Sequence, residues 1–101
     1  MSLVIVATVT PNAEDRDAVR EALLAAIPVV HDEPGCELYT LHEDEEVFVF
    51  VEQWSDRDAL KVHMKAPALT ALGPLLEGKL AAPTTLRFLS TISGGVKGTL
   101  S

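Results

Sequence analysis

The chain has 101 residues, 48% of them hydrophobic, and carries 15 acidic against 8 basic side chains, a net charge of −7 with histidine neutral. That length makes one domain with a modest core, and the negative surplus argues against nucleic acid and anionic membrane surfaces as partners. No apolar run approaches the roughly 20 residues of a membrane span, and the opening MSLVIVATV has neither a basic n-region nor a small-residue cleavage site, so a soluble cytoplasmic protein that takes small neutral or aromatic ligands is expected.

Leu3 to Val9 is a continuous apolar and β-branched run, read as a first strand closed by Thr10-Pro11-Asn12. Asn12 is a candidate cap for a helix from Ala13, on which Val19, Ala22, Leu23, Ala26, Ile27 and Val30 form one stripe. Pro28 removes the bond back to Leu24, which predicts a kink or a tightened last turn before Glu33-Pro34-Gly35. His31, Asp32 and Glu33 resemble ligand types, but at a helix exit they read as solvated. Cys36 to Glu43 is a second strand. The single cysteine, Cys36, excludes an intrachain disulfide and a cysteine-based metal cluster within one chain, and it is expected to be a small buried side chain. Asp44-Glu45-Glu46 makes a solvated hairpin turn, with His42 on its rim.

Val47 to Trp54 is the third strand, and its five successive apolar residues, Val47 to Val51, cannot all face one core. Both of its faces need cover. Beyond them Glu52 and Trp54 point to one side and Gln53 to the other. Ser55, Asp56 and Asp58 announce a helix start, with the Ser55 hydroxyl as the cap. On that helix Leu60, His63, Met64 and Pro67 share a stripe, so His63 faces inward, away from Lys61 and Lys65. The helix is expected to stop near Ala66, and Pro67 to open a further turn or two bearing Leu69, Leu72, Leu75 and Leu76, interrupted at Gly73-Pro74. Thr84 to Thr91 is a fourth strand, and Gly94, Gly95 and Gly98 mark a loose tail.

The order βαββαβ predicts an α+β, ferredoxin-like domain over residues 1–92, with both helices on one face of an antiparallel sheet and a flexible tail at 93–101. The opposite face has no helix left to cover it, while strands one and three are apolar on both sides. The economical solution is a second copy packed sheet on sheet, a homodimer.

Two stretches carry a resemblance to a known family. IPVVHDEPGCELY, from Ile27 to Tyr39, and VEQWSDRDALKVHMKAP, with Glu52, Trp54 and His63, are similar to the antibiotic biosynthesis monooxygenase domain, in order and spacing from Leu3 to Leu89. The resemblance is greatest to the bacterial quinol monooxygenase type, which shares the EQW run and the histidine on the second helix. It implies a dimeric α/β barrel with an apolar pocket between each sheet and its helices, but not one reaction, since members include cofactor-free oxygenases of anthrones and quinols, haem-degrading enzymes and an isomerase. Haem-degrading relatives use an asparagine on the first strand and a histidine near the position of Leu72 and Gly73; this chain has neither.

A cofactor-free oxygenase needs an electron-rich substrate, made by removing a phenolic or activated C–H proton. His63 suits the base, because imidazole is present in neutral form near pH 7. Trp54 N–H and Tyr39 O–H are candidate donors to a developing oxyanion or peroxide, Glu52 is a candidate to orient His63, and Leu60, Met64 and Phe50 are expected to line the substrate pocket. Each has an ordinary structural alternative: a core-edge histidine, core or interface aromatics, or an acid paired with Arg87 on the fourth strand. Alternation leaves open which face of strand two, and so Tyr39 or Cys36, looks at the pocket. The expected activity is a cofactor-independent monooxygenase of a small hydroxylated aromatic or quinol, with molecular oxygen as co-substrate and no metal. A non-catalytic binding module and an isomerase are its rivals.

Overall fold

A computed structural model describes residues 2–97. Its elements are β1 (Leu3–Val9), a single 3-10 turn (Ala13–Asp15), α1 (Arg16–His31), β2 (Cys36–Glu43), β3 (Phe48–Trp54), α2 (Arg57–Lys65), α3 (Pro67–Leu76) and β4 (Thr85–Leu89), followed by a 3-10 turn at Gly95–Lys97. The four strands form one sheet in the order β2-β3-β1-β4, every neighbour antiparallel. This is the ferredoxin-like α+β fold expected from the element order. Of the expected tail, residues 98–101 lie outside the described residues.

Register decides what each strand buries. Ile5, Ala7 and Val9 of β1 stand opposite Glu52, Phe50 and Phe48 of β3, and all six are buried. With Trp54 they make the sheet's half of the core, closed from above by Val19, Leu23, Ala26 and Val30 of α1 and Leu72 of α3. Val6 and Val51, also paired, face the other way and are only partly covered. The two-faced character of β1 and β3 is therefore real, and the helices satisfy one face.

The ends of the elements depart from expectation in instructive ways. Asn12 does not cap a helix through its oxygen; its amide donates to Asp15 (3.1 Å) and to the Gly78 carbonyl (3.2 Å), so the chain enters through a 3-10 turn and α1 begins at Arg16. At α2 the cap is Asp56, whose carboxylate accepts from the Ala59 N–H at 2.8 Å, and not Ser55. A carboxylate there also answers the positive end of the helix dipole. Gly73-Pro74 does not interrupt α3, which runs on to Leu76. After Pro28 the last turn of α1 tightens, with Asp32 N–H reaching Val29 O and Glu33 N–H reaching Val30 O, three residues back. The β2–β3 hairpin turn is exposed, as its three acids suggest, and is held in shape by local bonds: Asp44 accepts from the Glu46 and Val47 N–H groups, while Arg16, stacked 4.6 Å over Phe48, donates to the Asp44 and Glu45 carbonyls. Among the described residues no helix is long and apolar enough to cross a membrane.

Candidate active site

A cavity of about 240 Å³ lies between the sheet and the helices. Its sheet side is Ile5, Ala7, Phe50, Tyr39 and Glu52; its helix side is Leu23, Leu60, His63, Met64, Leu69 and Leu72. Leu86 and Phe88 of β4, 40% and 60% exposed, form its open edge with Met64. All four residues expected to contact a substrate, Tyr39, Leu60, Met64 and Phe50, are on its wall, as are His63 and Glu52. Among the described residues that line it there is no lysine or arginine.

β3 delivers Glu52 and Trp54 to the helix side because they are two residues apart on a strand. The Trp54 indole N–H donates to Glu52 Oε1 at 2.9 Å. α2 is capped by Asp56, two residues after Trp54, and the inward stripe that begins at Leu60 brings His63 down over the indole, ring centroids 4.3 Å apart and 28° from parallel. His63 is 2% exposed. Its Nε2 lies 3.7 Å from Glu52 Oε1, and Tyr39 meets the imidazole edge-on at 5.7 Å while stacking on Phe50 at 4.5 Å.

Burial holds the Glu52 carboxyl above the usual carboxylate range, outweighing the Trp54 hydrogen bond that acts in the opposite sense. Burial also pushes the Tyr39 phenol up, with the Glu52 charge next in effect, so Tyr39 stays a donor at neutral pH. Trp54, by contrast, is fully buried, does not line the cavity, and has spent its N–H on Glu52.

Three expectations need correction. Glu33 is not solvated: its carboxylate is 11% exposed and sits 2.8 Å from His63 Nδ1. Arg87 is not the partner of Glu52, because it pairs with Val6 in register and so faces the opposite side of the sheet from Glu52, which is opposite Ile5. Cys36 is half-buried, and a bulge between Cys36 and Leu38 puts it opposite Trp54, on the same side as Tyr39 rather than the opposite one. His31 is exposed, as expected, with its Nε2 3.0 Å from the Tyr39 carbonyl. The available signal for Glu33 was Pro34-Gly35, a turn tight enough to fold the preceding side chain back onto α2. Among the described residues no group of three or more His, Cys, Asp and Glu side chains is arranged to hold a metal ion.

The sequence model of the antibiotic biosynthesis monooxygenase family matches residues 2–73. Among solved structures, Rv0793 from Mycobacterium tuberculosis is similar over 94% of this chain and 99% of its own, with 25% identity and a TM-score of 0.88. PA3566 from Pseudomonas aeruginosa is similar over 91% and 95%, with 26% identity and a TM-score of 0.85. A crystal structure described as an antibiotic biosynthesis monooxygenase covers 90% of this chain and 99% of its own at 28% identity, with a TM-score of 0.83. Among curated proteins none matches.

Proposed function

The chain belongs to the antibiotic biosynthesis monooxygenase family, and from that premise we propose that it is a cofactor-independent monooxygenase of a small, uncharged hydroxylated aromatic or quinol. The observation that carries this reading is His63, an imidazole 2% exposed that nevertheless borders an apolar cavity beside Glu52. A buried base against an apolar, ring-sized space suits deprotonation of a phenol, and a lining with no lysine or arginine disfavours carboxylated or phosphorylated substrates.

In the proposed reaction Nε2 of His63 takes the phenolic proton. The phenolate is electron-rich enough to pass an electron to triplet oxygen, which reacts slowly with the neutral phenol. The ring carbon that bonds oxygen then loses its hydrogen, and the O–O bond breaks to release water. The balance is HO–Ar–H + O2 → O=Ar=O + H2O, with all four electrons drawn from the ring. The Tyr39 hydroxyl is the donor to the developing oxygen charge, and Trp54 acts one step back, holding Glu52. Leu60, Met64 and Phe50 hold the ring.

A specific observation favours a second reading. Glu52, whose pKa is raised by burial, and His63 stand 3.7 Å apart at the cavity, a pair able to give and take a proton across an enolisable substrate, as an isomerase requires. Oxygen consumption separates the two. With metal-free, colourless protein and a panel of quinols and anthrones, uptake is expected and should fall about 10²-fold or more in His63→Ala. Substrate proton exchange without uptake would replace the oxygenase with the isomerase, and tight binding with neither would make the protein a binding module.

We also propose a homodimer through the sheet face that the helices leave open. Val6, Val49 and Val51 on that face are only partly covered, and Leu89 at its β4 edge is 43% exposed.

A further inference from the structure

Glu33 is outside the cavity lining, yet its carboxylate is mostly covered, 11% exposed, and paired. One oxygen meets His63 Nδ1 at 2.8 Å; the other, Oε2, is buried with no hydrogen-bond partner among the described residues. An unpaired buried acceptor is destabilising, a cost that an apolar side chain in this turn would avoid. Gly35, at φ +78°, lies so close to Ala59 and Ser55 at the start of α2 that a Cβ there would collide with them, and its carbonyl accepts from the Ser55 N–H at 2.9 Å. The turn that carries Glu33 is thereby locked to the helix that carries His63.

The groups facing the imidazole come from three elements: Glu33 from the α1–β2 turn, Tyr39 from β2, and Glu52 and Trp54 from β3. Tyr39 and Trp54 meet the ring through their faces and edges. Each ring nitrogen therefore has one carboxyl group opposite it. A neutral imidazole carries a single N–H, and the nearer acceptor decides which nitrogen bears it. Glu33 is at hydrogen-bond distance; Glu52 at 3.7 Å is not, and its Oε1 already accepts from Trp54.

Resting on the reading that His63 Nε2 is the proton acceptor, we propose that Glu33 is the positioning residue that holds His63 in the Nδ1–H tautomer. Nε2 is thus kept free of a proton on the side of Glu52 and the cavity. A carboxylate can only accept, so it selects this tautomer and no other, and its charge offsets the imidazolium formed when Nε2 takes the substrate proton. Glutamine at 33 would lose that selectivity. Its amide can donate to Nδ1, whereupon the ring proton moves to Nε2 and the base is blocked.

Nitrogen NMR of histidine-labelled protein reads this directly, with the other two rings assigned through His31→Asn and His42→Asn. Neutral His63 is expected as Nδ1–H in the native chain and as Nε2–H in Glu33→Gln. With a phenol that the native chain oxidises, kcat of Glu33→Gln should fall about 10²-fold or more while KM barely moves, since Glu33 does not touch the cavity. Glu33→Asp keeps a carboxylate and should retain Nδ1–H and recover part of kcat. An Nε2–H tautomer in the native chain, or a tautomer unmoved by Glu33→Gln, overturns the proposal. Should Glu33→Gln not fold, the native spectrum and Glu33→Asp decide. A native chain with the Nδ1–H tautomer but no turnover removes the oxygenase reading and leaves the role of Glu33 in setting the ring proton supported.

Discussion

Glu52 illustrates how a single side chain can be held against its own solvation. It is 4% exposed, and burial raises its pKa by more than the Trp54 hydrogen bond lowers it. The folded protein therefore keeps a proton at pH values where the unfolded chain has released it. This favours the fold fully below the usual carboxylate range, and the contribution is lost as pH rises through the raised folded value. Glutamine cannot ionise, but its carbonyl can still accept from Trp54. Glu52→Gln should therefore gain on the native chain as pH rises: urea midpoints should diverge in its favour between about pH 4 and pH 8. Midpoints that move in parallel would mean that Glu52 titrates as it does in water. Of the site residues, His63, Glu52 and Trp54 were legible in the sequence, because alternation on a strand and the three- and four-residue spacing of a helix stripe dictate which side chains turn inward, whereas alternation alone left the inward face of β2, and so Tyr39, open. The burial of Glu33 was not, since its neighbours His31 and Asp32 are exposed and no periodicity governs a turn. Arg87 was misassigned for a related reason: strand four could be found, but its register against β1, which sends Arg87 to the opposite face, is a tertiary fact.

At the scale of elements, the regular parts were legible and the junctions were not. β1 and β2 have the limits that their composition suggests, and β3 and β4 are trimmed only at their ends. The choice between Ser55 and Asp56 as cap turned on which residue leaves the strand, and Gly73-Pro74 stayed helical, with Pro74 in the second half of α3 on its exposed side. The junction that matters most is Glu33-Pro34-Gly35. At φ +78° a side chain is strained whatever the space available, and here a Cβ would also collide with Ala59 and come within 2.6 Å of Ser55 Oγ. Gly35→Ala should cost about 2–4 kcal/mol in urea unfolding, from left-handed backbone strain plus overpacking. It should also push the turn away from α2, so the His63–Glu33 pair should loosen with it. A variant as stable as the native chain would show that the turn is not wedged against α2, and would weaken the claim that the fold is built to hold Glu33 in place.

At the scale of the molecule, the open sheet face decides how the domain lives in solution. The helices cover one face of β1 and β3; on the other, Val6 and Val51 stand opposite one another near the middle of the sheet, with Val49 beside them and Leu89 at the β4 edge. A sheet with a row of valines outward gains by burying them against a like surface, and a two-fold pairing presents the same patch from both copies. That pairing leaves the helix-side cavity intact, since its walls come from the other face. The chain should therefore sediment at twice its own mass at micromolar concentration. Val51→Lys places a charge in the centre of the patch while leaving Phe50 and Glu52 on the core side untouched, so it should give a folded monomer with the native far-ultraviolet spectrum. Burying an unpaired ammonium in a second copy is too costly to allow the pairing, whereas a charge on an open face costs little. A native chain that sediments as a monomer, or a Val51→Lys chain that still pairs, would mean that this face is not the interface. The valines would then be tolerated in water, and the negative charge of −7 would be left as what keeps the copies apart.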